Sequence, residues 1–255
     1  MMKIGIIGGT GFYQLFDQMV EKTVHTEYGD VTVFRAVSEG KEVYFLPRHG
    51  KHHDALAPFV NYRANILALK ELEVTRILSV SAVGAINPEI EVGSLSLLDQ
   101  FVDLTTRVKT YGKYSVDITE PFCPELQEVF VQAAKEINEP LREKTTLVCV
   151  EGPRYETKAE IQLFAKWGMD VVGMTNATEA SLARELGMCY SVVTVATNTA
   201  PGITDHKPSL KAHKEVGERK RETVSTLMLE AIKLAGERKN CSCQEAYERA
   251  VLSRT

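Results

Sequence analysis

The chain has 255 residues, 44% of them hydrophobic and 25% charged, the make-up of a globular protein and not of a disordered or fibrous one. Its 30 Lys and Arg stand against 34 Asp and Glu, a formal charge of −4 that carries no polycationic signature for nucleic acid or an acidic membrane surface. No apolar run reaches the roughly 18 residues of a membrane span, so a small-molecule ligand is the expectation that remains.

In chain order, short β-branched runs punctuated by Gly predict strands over 3–7, 31–35, 42–46, 76–80, 94–98, 146–150, 171–174 and 190–197. The first of these reads as a buried strand and not as a cleavable leader. Helical spacing of apolar residues predicts helices over 61–72, 124–137, 157–167, 177–186 and 211–235. This alternation predicts a single α/β domain over 1–255 with a mixed central sheet flanked by helices. Residues 240–255 form a C-terminal extension with a short helix and the sequence Cys241-Ser242-Cys243. The five Cys are an odd number, three of them within apolar stretches, which predicts reduced thiols in a cytoplasmic protein. The C-x-C pair reads first as surface thiols, next as a disulfide or redox pair, and last as half a metal site. A zinc site takes about four ligands, and the tail offers no others.

Six predicted strand ends carry polar groups. Gly8-Gly9-Thr10-Gly11 can cradle an anion on backbone N–H groups, or be a tight turn and nothing more. The dinucleotide fingerprint fails here, because 31–46 reads as two strands around Gly40 instead of a helix followed by a strand with a terminal acid. Arg48-His49-Gly50-Lys51-His52-His53 places cationic donors where open α/β sheets bind ligands. The spacing suits no zincin, while an Arg fork matches phosphate oxygens bidentately; a solvated basic loop is the other reading. Ser81-Ala82-Val83-Gly84 admits a ligand close to the backbone. Glu156 follows Gly152-Pro153-Arg154-Tyr155 and is either a ligand acceptor or an acid favoured by a helix N-terminus. Met174-Thr175-Asn176 and Asn198-Thr199-Ala200 complete the set, which suits an anion together with a polar ring.

These segments, with Asn61-Tyr62-Arg63-Ala64-Asn65 and Glu151-Gly152-Pro153-Arg154-Tyr155-Glu156-Thr157, stand in the same order as in the trimeric nucleoside phosphorylases, which the chain resembles from about Lys3 to Ala235. The family includes methylthioadenosine, methylthioinosine and 6-oxopurine nucleoside phosphorylases. The resemblance implies a homotrimer or a dimer of trimers, no metal or other cofactor, and inorganic phosphate as cosubstrate. By the same resemblance Thr10, Arg48, His49, Ser81, Ala82 and Thr175 hold phosphate, Met174 lies beneath the ribose, and Asn198, Thr199 and Ala200 form the base loop. Phosphate then attacks C1′ through an oxocarbenium-like state, with Arg48 and His49 positioning the anion and Asn198 stabilising the departing purine.

Family members acting on 6-aminopurines have Asp in place of Asn198 and a small hydroxyl residue in place of Glu156. A 6-oxopurine offers N1–H to a carboxylate, and an Asn amide serves both N7 and O6. Inosine and guanosine are therefore the expected substrates. His213 resembles the His that meets the 5′-hydroxyl, with a helix-surface His as the bland alternative and methylthioinosine as the alternative substrate. A hydrolytic nucleosidase and a non-catalytic nucleotide-binding module are the rival classes, and dependence on phosphate separates all three.

Overall fold

The computed structural model describes residues 1–9, 18–205, 209–239 and 241–253. Its strands are β1 (Lys3–Gly8), β2 (Val20–Thr26), β3 (Gly29–Ser38), β4 (Lys41–Pro47), β5 (Arg76–Ala85), β6 (Leu95–Asp103), β7 (Leu141–Cys149), β8 (Val171–Gly173) and β9 (Cys189–Thr199). Its helices are α1 (Tyr62–Glu71), α2 (Pro124–Glu136), α3 (Lys158–Lys166), α4 (Asn176–Glu185), α5 (Leu210–Leu234) and α6 (Ser242–Leu252). The strands form one mixed sheet in the order β2-β3-β4-β1-β5-β8-β7-β6-β9, and β5 also pairs with β9. That extra pairing bends half of the sheet into a closed ring and leaves the other half open.

β1 lies between β4 and β5 and runs parallel to both, while β5 runs parallel to β9. The carboxyl ends of these strands therefore share one edge. β1 shows no inside-outside alternation, because helices cover both faces of a central parallel strand. One face packs against α1 and α4 through Ile66, Leu69 and Leu182, the other against α2 and α5 through Phe130, Leu227 and Ile232. Truncating a buried aromatic such as Phe130 to Ala costs about 3–5 kcal/mol.

Local chemistry sets the element ends. Asn61 caps α1 by accepting from the Ala64 N–H at 3.2 Å. Thr157 and Glu160 form a reciprocal capping box at the start of α3. Glu39 and Gly40 both take positive φ between the paired Ser38 and Lys41, the turn geometry that matches the twist of a hairpin.

Three sequence expectations change. β2 is absent from the predicted strands because it is an edge strand whose Val24 alone is buried, so its sequence shows no apolar run. β5 and β9 continue through Ala85 and Thr199, so Ser81 to Gly84 and Asn198 lie within paired strands and not in loops beyond them. Cys241 and Cys243 are buried, not surface thiols.

Candidate active site

At the shared strand edge a cavity of about 670 Å³, its open mouth included, is lined by Gly9, Arg48, His49, Ala57, Ser81–Gly84, Tyr155, Glu156, Val172–Thr175, Asn198 and His213. Its few convergent polar groups in a concave site suit a small ligand. Its floor is a buried polar network. Arg48, at the end of β4, is 2% exposed, and its Nε and Nη2 donate to the two carboxylate oxygens of Glu179 at 2.5 and 3.0 Å. Nη2 also donates to Ser79 Oγ at 2.8 Å and Nη1 to the Val80 carbonyl at 3.0 Å. A guanidinium has five N–H groups; among the described residues four are engaged, and one Nη1–H remains. A Cβ added at Gly9 would stand 2.5 Å from this Nη1, so the glycine keeps the floor within reach of the cavity. The sequence suggests the Arg fork for phosphate, but the fork grips Glu179, a carboxylate as deeply buried as itself.

The network continues to the cavity wall. Tyr190 donates to Glu179 at 2.6 Å, and Asn176 Nδ2 donates both to the Tyr190 hydroxyl at 3.0 Å and to Ser81 Oγ at 2.9 Å. Burial foremost, then the Glu179 charge, keeps the Tyr190 hydroxyl protonated. Because Ser81 accepts from Asn176, its own O–H is left to donate into the cavity. Thr175 adds a second hydroxyl: it stands at the N-cap of α4 yet makes no side-chain capping bond. The positive end of the α4 dipole lies directly behind it.

His49 is not one of the expected cationic donors. Burial and the neighbouring Arg48 push its pKa down to about 4. Nδ1 lies 2.8 Å from the Ala55 carbonyl, which can only accept, so Nδ1 carries the proton and Nε2 presents a lone pair. The His53 ring stacks at a tilt on His49 with centroids 4.7 Å apart. His52 is exposed, so the histidines of this run do not share one polar centre.

The opposite side of the cavity is set by β8, β9 and the loop before α3. Glu156 is 9% exposed, and desolvation raises its carboxyl above the usual carboxylate range. Among the described residues no side chain hydrogen-bonds it. Asn198 owes its direction to a register shift: Val83 pairs with Ala196 and Gly84 with Asn198, so Thr197 is the extra residue of a β-bulge. The Asn198 Nδ2 donates to the Thr199 carbonyl at 2.9 Å. Behind it, His213 in the first turn of α5 places Nδ1 2.9 Å from Thr197 Oγ1. Burial first, then His53 and Lys214, lower the His213 pKa, so the ring is neutral. Met174 lies against the loop ahead of Glu156; a Cβ at Gly152, whose φ is +69°, would meet its sulfur at 2.4 Å.

Arg48, His49, Ser81, Ala82, Glu156, Met174, Thr175, Asn198 and His213 thus meet in one cavity. Thr199 and Ala200 do not line it: Thr199 Oγ1 pairs with Thr204 Oγ1 at 2.9 Å, and Ala200 is buried with its N–H on the Ala85 carbonyl. Thr10 lies outside the described residues. Sequence reasoning missed Glu179, although a carboxylate in the first turn after Met174-Thr175-Asn176 is a signal that was present. Ala57 offered none.

Residues 3–233 match the model of the phosphorylase superfamily. The 6-oxopurine nucleoside phosphorylase of Pyrococcus furiosus is 43% identical, covering 98% of this chain and 99% of its own length. The S-methyl-5′-thioadenosine phosphorylase of the same organism is 42% identical, with 97% and 98% covered. A probable S-methyl-5′-thioinosine phosphorylase of Methanopyrus kandleri is 41% identical, with 98% and 99% covered. The methylthioadenosine phosphorylase of Schistosoma mansoni in complex with adenine superposes with a TM-score of 0.93 at 29% identity, covering 99% of this chain and 98% of that one.

Proposed function

Because the chain belongs to the phosphorylase superfamily and is a nucleoside phosphorylase, a pentosyltransferase, we propose that it cleaves 6-oxopurine nucleosides, inosine and guanosine, in cytoplasmic purine salvage. Inorganic phosphate is the cosubstrate, the products are the free base and ribose 1-phosphate, and no metal or organic cofactor takes part.

The observation that carries this reading is Glu156, a buried carboxylate on the cavity wall that no side chain among the described residues pairs. A 6-oxopurine supplies the missing donor through N1–H, and guanine adds its 2-amino group. Adenine has a lone pair at N1, which would face the carboxylate. Leaving such a group unpaired costs about 1–3 kcal/mol, or roughly ten- to a hundredfold in specificity. Asn198 is assigned to N7 and O6 of the departing base, with Thr199 and Ala200 following it at the end of β9.

Phosphate is assigned to the Arg48 edge, with Thr10 as a further donor. Nη1–H of Arg48, the hydroxyls of Ser81 and Thr175, the neighbouring backbone at Ala82 and the α4 dipole supply the positive side. Neutral His49 accepts at Nε2 from the protonated oxygen of monohydrogen phosphate. No side chain need act as nucleophile: phosphate oxygen bonds to C1′ as the bond to N9 breaks, and the proton that phosphate loses is balanced by the one the base gains. Positioning the anion beneath the sugar is the main contribution of the protein.

His213 supports a 5′-hydroxyl, with Met174 beneath the ribose. Methylthioinosine is the alternative substrate, named by the Methanopyrus relative; it would keep the same base contacts and differ at His213. A homotrimer, or a dimer of trimers, belongs to the same reading. Leu56, Phe59, Leu104 and Val108 are exposed beside the stretches that line or flank the cavity, an apolar surface that suits association. Light scattering in solution tests that part.

The base assignment is tested by kcat/KM for inosine and adenosine in Glu156→Ala and Asn198→Asp. The expected outcome is a ten- to hundredfold fall in the inosine-to-adenosine ratio on losing the Glu156 acceptor, and a shift of the same sign for Asn198→Asp. Unchanged ratios in both would remove these residues from base recognition.

A further inference from the structure

Away from the cavity, on the α2 and α5 side of the sheet, four sulfurs come together from three separated stretches of chain. Cys123 stands at the N-cap of α2, Cys189 opens β9, Cys241 stands at the N-cap of α6 and Cys243 lies in its first turn. All four Sγ atoms lie within 4.8 Å of one another, with Cys189 and Cys241 3.3 Å apart. Every one of the four faces the other three, so they form a single group and not two separate pairs. Three are fully buried, and Cys241 is 8% exposed.

A tetrahedral zinc thiolate with bonds of about 2.3 Å sets its sulfurs about 3.8 Å apart, inside the spread observed. A disulfide would need about 2.05 Å and would use the sulfurs in twos. The surroundings also suit thiolates. The Cys243 backbone N–H donates toward the Cys241 sulfur, Arg184 Nη2 is 3.8 Å from the Cys243 sulfur, and Arg238 acts on Cys189. Four thiolates and one divalent ion sum to a charge of −2, and two guanidinium groups stand beside them to balance it.

We infer that Cys123, Cys189, Cys241 and Cys243 form a tetrathiolate site for a structural zinc ion. The ion fastens the C-terminal helix α6 to α2 and to the start of β9. Binding releases the thiol protons and changes no oxidation state. None of the four residues lines the candidate active site, so the inference stands apart from the reading of substrate. The missing ligands that made the C-x-C pair look incomplete in the tail are Cys123 and Cys189, far away in sequence and adjacent in the fold.

The test uses the full chain, purified under reducing conditions, supplied with zinc and dialysed before elemental analysis. About one tightly held zinc per chain is expected, and cobalt exchanged into the site should show thiolate charge-transfer bands with tetrahedral d–d absorption. Cys243→Ser should lose the metal, while Cys149→Ser, whose thiol lies elsewhere, should retain it. If Cys243→Ser fails to fold, the wild-type cobalt spectrum decides. Failure to retain zinc overturns the inference, whether the thiols all titrate as free or the unreduced mass is lower by two hydrogens per disulfide.

Discussion

Two buried arginines meet β5, Arg76 as its first residue and Arg48, which follows β4, resting on its middle, and the two are held differently. At the amino end of β5 Arg76 is 2% exposed, donating to the Gly236 carbonyl at 2.8 Å and to Glu125 at 3.0 Å, while its Nε finds no hydrogen-bond partner among the described residues. Glu125 is partly in water, with its side chain 21% exposed. Further along the strand, Arg48 rests on Ser79 and Val80, held by the fully buried Glu179 and linked through Tyr190 and Asn176 to Ser81. The first arrangement clasps the approach to the C-terminal tail. The second makes a floor whose every member positions another, which is what a preorganised site requires. Equal burial therefore says little about role; the partner's burial and the direction of the chain of hydrogen bonds say more.

The sharpest way to break this contrast is to remove one side of the inner pair. Glu179→Gln leaves a buried guanidinium uncompensated and should cost about 3–5 kcal/mol of stability, read by urea unfolding, together with a raised KM for phosphate. The same loss with an unchanged KM would leave Glu179 a purely structural role. Next in size is acid sensitivity at the site end. His49 binds its proton more weakly folded, near pH 4, than unfolded, near 6.5. The unfolded state therefore takes up more protons between these values, and stability falls as pH drops through that window, by about 3 kcal/mol at pH 4. His49→Gln should flatten this part of the unfolding profile. At the other end, Arg76→Met should cost about 1–3 kcal/mol and leave KM for phosphate unchanged, since Glu125 can turn to water. The smallest effect is expected from Thr157→Ala, which removes the capping-box hydroxyl for about 1 kcal/mol, read as a lowered Tm.

What the sequence made legible follows from what periodicity and local chemistry can record. Buried runs such as 3–7 and 42–46 announce parallel strands, and the Gly40 turn separates a hairpin from a dinucleotide fold. Edge strand β2 escaped because one buried side chain leaves no pattern. The ends of β5 and β9 escaped because small and polar residues continue the pairing through a bulge. Residues of the cavity were found where strand ends and polar side chains coincide. Glu179 and the four-cysteine cluster were not, because their meaning depends on partners 131 residues away for Arg48 and 52 for the Cys189 and Cys241 pair. His49 was identified by position but not by charge, since its neutrality comes from burial and from Arg48, which only the folded chain brings together.

The most direct test of the account is release of base from inosine, adenosine, methylthioinosine and methylthioadenosine by the wild-type protein, with and without inorganic phosphate. Turnover that requires phosphate and favours inosine over adenosine by roughly ten- to a hundredfold, the value of one well-placed acceptor, is expected. Base release at full rate without phosphate, or an equal rate on adenosine, would contradict it.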